Sequence, residues 1–406
     1  MPGAPPHGDP VPPDGRLPGP ALDGLGSRPF GIYVHVPFCA TRCGYCDFNT
    51  YTAAELGSGV SRDAYAGQAI AELELARKVL GPADAPASTV FFGGGTPTLL
   101  APAQLGAILR AIGSEFGLAP GAEVTAEANP ESVDERSLAC LREQGITRLS
   151  LGMQSAVPEI LAVLDRAHRP GRAVQCVRWA RKAGFGQVNL DLIYGTPGED
   201  AARWRRSLAA AIEAGPDHVS AYALIVENGT RLAARIRRGE LPPPDEDAMA
   251  ERYLLADDVL GSAGLDWYEI SNWASSPQSR CRHNLLYWTG GDWWGIGPGA
   301  HSHVGGTRWW NVRHPAAYAS RISAGRSPGQ AREVLTPAQR RMEQIMLTTR
   351  LAEGCPVAAL SDAGRAAAAR AAADGLADRH ALRAGRVTLT RSGRLLADAV
   401  IRGLTD

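Results

Sequence analysis

The stretch Ile32-Tyr33-Val34-His35-Val36-Pro37-Phe38-Cys39-Ala40-Thr41-Arg42-Cys43-Gly44-Tyr45-Cys46-Asp47-Phe48-Asn49 decides how this chain is read. An apolar run reads as a strand and ends at Pro37, which has no N–H to offer a ladder. Cys39, Cys43 and Cys46 then fall on one short loop. Seven cysteines in 406 residues are too few and too unevenly spaced for a disulfide framework, so three of them crowded together point to metal. Three thiolates can hold three corners of a cubane iron–sulfur cluster and leave the fourth iron open. A structural zinc ion would need a fourth protein ligand, from Asp47, His35 or a distant residue. Cys140, Cys176 and Cys355 sit in apolar or helical surroundings and read as buried, unreactive thiols.

Working outward, apolar runs at 31–36, 88–92, 122–127, 147–151, 187–193 and 218–225 alternate with segments of helical spacing near 62–80, 134–144, 171–183, 201–214 and 247–263. Leu105, Ile108, Leu109, Ile112 and Phe116 form a further helical stripe. Gly81, Gly145, Gly184, Gly215 and Gly264 stand where left-handed caps would stop helices. Six strand-then-helix units imply parallel strands joined by right-handed crossovers. The unusual polar and glycine residues, Cys39, Gly93 to Thr96, Glu127, Asn129, Gln154, Asp191 and Glu227, all follow or close a strand. A barrel gathers such strand ends around one site, so the expected fold is α/β, a partial (β/α)6 TIM-like barrel.

Domain boundaries follow from composition. Residues 1–28 are rich in Pro and Gly and are expected to form a disordered tail. The barrel is expected over 29–265, a loop-rich connector or cover over 266–329, and a small helical, winged-helix-like unit over 330–406. That last unit reads as a packing domain, since its positive charges are scattered. Lys plus Arg equals Asp plus Glu at 42 each, which argues against nucleic acid as a partner. No apolar run is long enough to span a membrane, and the start lacks a secretory signal, so a cytoplasmic location is expected.

An open iron can take the amino and carboxylate groups of S-adenosylmethionine (SAM), and one electron into the sulfonium then splits off a 5′-deoxyadenosyl radical. Gly93-Gly94-Gly95-Thr96-Pro97-Thr98 would let backbone approach the ligand, because glycine has no Cβ. Glu127 and Asn129 offer an acceptor and an amide for the ribose. Gln154, Arg166 and Asp191 are equally plain as residues that tie strand ends down.

These motifs resemble the radical SAM branch that holds the oxygen-independent coproporphyrinogen III oxidases and the heme chaperones of the HemW family. The resemblance runs through Glu127-Ala128-Asn129-Pro130, Gly152-Met153-Gln154-Ser155, Leu164-Asp165-Arg166-Ala167-His168, Asp191 to Gly198, Tyr268 to Trp273 and Gly297 to His301. It implies that Tyr33 and Tyr45 line the SAM pocket and that Gly94 and Glu127 contact SAM at the cluster. Gly95, Thr96, Gln154, Arg166 and Asp191 match positions that contact a second SAM in the oxidases. The oxidase branch carries a further cysteine at the place of Phe48, which instead matches HemW.

Cys281-Arg282-His283-Asn284-Leu285-Leu286-Tyr287-Trp288 resembles the His-Asn-x-x-Tyr-Trp signature associated with heme binding in that family. It implies His283 as an axial ligand flanked by Tyr287 and Trp288, with Cys281 as an alternative. The same residues, taken alone, read as ordinary packing, and His301 and His303 as local hydrogen-bonding groups. Three functions stay open: a heme chaperone with cluster and SAM that serves an acceptor protein, a coproporphyrinogen III oxidase, and another radical SAM enzyme such as a methyltransferase. SAM cleavage would also require an electron donor.

Overall fold

The computed structural model describes residues 7–56, 60–166, 169 and 171–405. Ala167 and His168 of the quoted motif, and residues 1–6 of the expected tail, lie outside them. Six strands lie parallel and side by side in sequence order: β1 (Phe30–Val36), β2 (Ala87–Gly94), β3 (Leu118–Ala128), β4 (Arg148–Gln154), β5 (Gln187–Tyr194) and β6 (His218–Ala223). Helices α1 (Arg62–Leu80), α2 (Pro102–Glu115), α3 (Glu135–Glu143), α4 (Arg172–Lys182), α5 (Ala201–Glu213) and α6 (Glu246–Ser262) follow them in turn. The five glycines expected to stop helices all have positive φ.

Each strand splits its side chains between two faces, because successive residues point to opposite sides. Ile32, Val34 and Val36, Val90 and Phe92, Leu149 and Leu151, and Val188, Leu190 and Leu192 are buried in the main core with the helices. The alternate positions are polar, aromatic or glycine: Tyr33 and His35, Phe91, Glu127, Ser150 and Gly152, Asn189 and Asp191, His218, Ser220 and Tyr222. These face the inside of the curled sheet. The register sets Glu127 beside Ser150, Ser150 beside Asn189 and Asn189 beside His218, so one polar row crosses four strands.

Two expectations are corrected. The stretch 266–329 is not a loop-rich cover; it extends the sheet at both edges. β7 (Asp266–Glu269) and β8 (Asn272–Ala274) form a hairpin whose second strand pairs antiparallel with β6. β9 (Asp292–Ile296) pairs in parallel with β1 and leads to the antiparallel strands β10 (His301–Val304), β11 (Thr307–Asn311) and β12 (Gly329–Val334). Nor are residues 7–28 a free tail. Asp9 and Pro10 pair with Arg332 and Ala331, and Leu17 and Ala21 are buried, so a little apolar area and two ladder positions offset the entropy of ordering them. The two outermost strands of the sheet do not pair with each other, so the barrel is incomplete.

The connector is latched by Glu72 on α1. This carboxylate is buried at 1% exposure and accepts from Gly297 N (2.8 Å), Asn311 Nδ2 (2.7 Å) and Tyr318 Oη (2.6 Å). The C-terminal residues build a second apolar core around Ile345, Leu360, Ala368, Val387, Val400 and Leu404. Arg391 and Arg394 tie that unit to Asp257 on α6, and the Arg394 guanidinium lies over Trp267.

Candidate cofactor site

A cavity of about 920 Å³ opens at the carboxyl ends of the strands. Its wall includes Cys39, Cys43, Cys46, Tyr45, Gly94, Gly95, Thr96, Glu127, Asn129, Gln154, Arg166, Asp191 and Glu227, all singled out from the sequence. The cysteine loop is held from both sides by backbone: Cys39 N donates to Tyr51 O (3.0 Å), and Gly44 N donates to Leu164 O (3.1 Å). All three thiols are half-buried and free. Burial pushes the Cys39 thiol up to about 11 and raises that of Cys46, so binding iron as thiolates would have to offset this. Among the described residues no three His, Cys, Asp or Glu side chains crowd together as ligands of a single ion; the thiols share the cavity wall instead.

The glycine string earns its composition by close approach. A Cβ on Gly95 would sit 2.4 Å from Phe38 O and 3.1 Å from Cys39 Sγ, and Gly94 has φ +109. Gly94 N donates to Glu127 Oε2 (3.1 Å). Burial, with the Asp191 charge second, pushes Glu127 up to about 8. Asp191 is also raised by burial, while Ser150 Oγ donates to its Oδ2 (2.9 Å) and Asn189 Nδ2 to its Oδ1 (2.7 Å). Burial disfavours the Arg166 charge, yet Tyr45, Cys43 and Cys46 facing it hold its pKa above the ordinary value. Gln154 takes φ +61 where the register slips between Gly152 and itself, and this bulge aims its side chain into the cavity. Gly152 leaves room there for the Arg166 and Gln154 side chains, since its Cβ would lie 2.6 Å from Arg166 Nη2 and 2.9 Å from Gln154 Nε2. A three-thiol wall, a glycine cradle and buried carboxylates facing one cavity are a donor set that fits a cluster and a cationic, hydroxyl-bearing ligand.

Four expected residues are not in that wall. Tyr33 lies one layer below it, beneath Gly93, and its hydroxyl meets His35 Nδ1 at 3.0 Å. His283, Tyr287 and Trp288 stand on the short helix α7 (Arg282–Trp288), which plugs the opposite end of the barrel. Its backbone N–H groups at Arg282 and His283 donate to Glu123 (3.3 and 3.1 Å). His283 is 1% exposed, stacks on Phe91, and engages both ring nitrogens: Nδ1 with Thr89 Oγ1 and Nε2 with Tyr287 Oη, each at 2.8 Å. Burial pushes it down to about 3, so it is neutral. Asn284 and Trp288 are directed at Glu269 of the β7–β8 hairpin. With no lone pair free, His283 cannot ligate a metal while α7 stays seated. Cys281 is equally buried, its thiol raised to about 12 by that burial. His301 stacks on Trp310 and His303 bonds Gly291 O, both outside the cavity wall.

The radical SAM superfamily model matches residues 33–211. The heme chaperone HemW of Mycobacterium tuberculosis is 53% identical over 386 residues, covering 95% of this chain and 97% of its own. The chain belongs to the HemW family. HemW of Synechocystis is 36% identical over 330 residues, covering 80% of this chain and 79% of the relative. The solved coproporphyrinogen III oxidase (HemN) of Escherichia coli, a radical SAM enzyme, superposes with a TM-score of 0.79 at 22% identity, covering 95% of this chain and 92% of the oxidase. That likeness fixes the shared fold alone.

In this HemW-family chain Phe48 is 60% exposed and lines the cavity. Sequence reading missed the apolar rim beside it, Tyr222 and Ile225, which are 41% and 67% exposed. It also missed Ser150 and Asn189. The available signal was the strict alternation of polar residues within otherwise apolar strands, which marks the inner face.

Proposed function

We propose that this chain is a heme chaperone that carries a [4Fe–4S] cluster on Cys39, Cys43 and Cys46, holds SAM in the adjoining cavity, and passes heme to an acceptor protein. The near-full-length kinship to HemW carries this reading. The three thiols would hold the cluster, which when bound supplies an electron to the SAM sulfonium. Glu127 and Gly94 would orient the amino acid end of SAM, Tyr45 and Arg166 would close the near wall, and Asp191 and Gln154 would accept and donate to its hydroxyls.

Heme needs a flat apolar surface, and the buried α7 does not offer one. Phe48, Tyr222 and Ile225 are exposed on the cavity wall, where an aromatic ring can stack on a macrocycle. Phe48 also favours the chaperone over the oxidase, because a phenyl ring cannot do the work of a thiol. The test is anaerobic reconstitution followed by heme titration, SAM cleavage and coproporphyrinogen turnover side by side. Heme binding without coproporphyrinogen turnover is expected, and Phe48→Asp should weaken heme binding about tenfold, roughly the burial of one apolar side chain. Turnover by the wild-type chain, or no heme bound, would contradict the reading.

A further inference from the structure

A hydrogen-bonded chain runs from the plugged end of the barrel to the cavity, joined at its cavity end by Ser150 and Ser220, which also bond Asp191. Cys281 N, at the start of α7, donates to Tyr268 Oη (3.2 Å). Tyr268 Oη stands 2.8 Å from His218 Nε2, His218 Nδ1 stands 2.5 Å from Asn189 Oδ1, and Asn189 Nδ2 donates to Asp191 Oδ1 (2.7 Å). The same Asn189 amide donates to Ser150 Oγ (2.6 Å), which donates on to Asp191 Oδ2 (2.9 Å). Tyr268, His218 and Asn189 are buried at 0%, 1% and 5% exposure, and water does not compete for these bonds.

Chemistry allows one direction through these groups. A carboxylate only accepts, so Asn189 must present its NH2 to Asp191 and its oxygen to His218. His218 therefore carries its proton on Nδ1, and Nε2 must accept from the Tyr268 hydroxyl. The Tyr268 oxygen is then left to accept from Cys281 N–H, and that donor is there. Loss of any link lets the next one reverse. With Nε2 unpaired, the imidazole can move its proton, Nδ1 becomes an acceptor facing Asn189 Oδ1, and the amide is free to turn its oxygen against Asp191.

We propose that Tyr268, His218 and Asn189 are positioning residues that fix the Asp191 carboxylate toward the cavity, so that the seated α7 and the β7–β8 hairpin set the grip on a hydroxyl-bearing, cationic ligand. This rests on the reading of the cavity as a SAM site. The start of α7 thereby acts on the cavity at a distance, through the Cys281 N–H and the Tyr268 hydroxyl.

The test uses the full chain. In 15N-histidine NMR the wild-type protein should show neutral His218 protonated on Nδ1, its signal assigned by its loss in His218→Gln; Tyr268→Phe, which keeps the ring, should give a mixture of tautomers. After anaerobic reconstitution Tyr268→Phe should bind SAM about fivefold more weakly, the scale of one hydrogen bond, and this loss should vanish on an Asp191→Asn background. An Nε2-protonated His218 in the wild type, or the same fold-loss in both backgrounds, overturns the proposal. If the wild type binds no SAM, the cavity reading falls, and the tautomer alone decides whether the chain holds Asp191 as described.

Discussion

Glu127 shows how one residue's surroundings set its behaviour. Its carboxyl is pushed up to about 8, by burial first and by Asp191 second, so the ligand-free protein holds a proton there at pH 7. A sulfonium or ammonium group entering the cavity favours the ionised form and expels that proton. SAM affinity should therefore rise with pH from about 6.5 to 8 and level off above, with a limiting slope of about tenfold per pH unit. Titrations at several pH values would check this, and Glu127→Gln should flatten the curve. The same shift acts oppositely on stability: an acid whose folded pKa is raised contributes most below its ordinary value and loses that contribution as pH climbs through 8. Much of this site was legible from residue types alone, because thiols, glycines and strand-end carboxylates have few structural uses in that spacing. Phe48, Tyr222 and Ile225 were harder to place, since an apolar side chain reads as core until exposure is known.

At the scale of elements, strand and helix positions could be read from periodicity because each barrel strand keeps an unbroken apolar face and each crossover helix a stripe. The direction of α7 could not. Its His, Asn, Tyr and Trp are the residue types that bind a macrocycle and equally those that tie a helix to a polar barrel floor, and only the contacts decide. Both nitrogens of His283 are engaged and its ring is stacked on Phe91, so His283→Ala should cost about 3 kcal/mol of stability, read as a lower denaturant midpoint with unchanged slope. The Soret band of the heme-loaded protein should be unaltered. A changed Soret band with undiminished stability would return His283 to the ligand list and require α7 to leave its seat.

Across the whole molecule, the Trp- and Gly-rich stretch after residue 265 reads as cover because its strands are short and the two that join it to the barrel pair with strands far away in sequence. β9 pairs with β1 across more than two hundred residues, a relation no local pattern encodes. Glu72 holds this extension to the barrel, and Glu72→Ala would strand three donors, so it should cost about 3 kcal/mol by chemical denaturation. Glu72 is pushed up to about 7 by burial, so its contribution to stability should fade as pH rises through neutrality. No described helix is long and apolar enough to cross a membrane. A cluster on Cys39, Cys43 and Cys46 with one open iron facing the cavity is tested most directly by the electron paramagnetic resonance spectrum of the anaerobically reconstituted, reduced protein with and without SAM. A [4Fe–4S]+ signal whose g-values shift when SAM is added, and which Cys43→Ala abolishes, is the predicted result; a spectrum indifferent to SAM, or a cluster that survives loss of Cys43 unchanged, would contradict it.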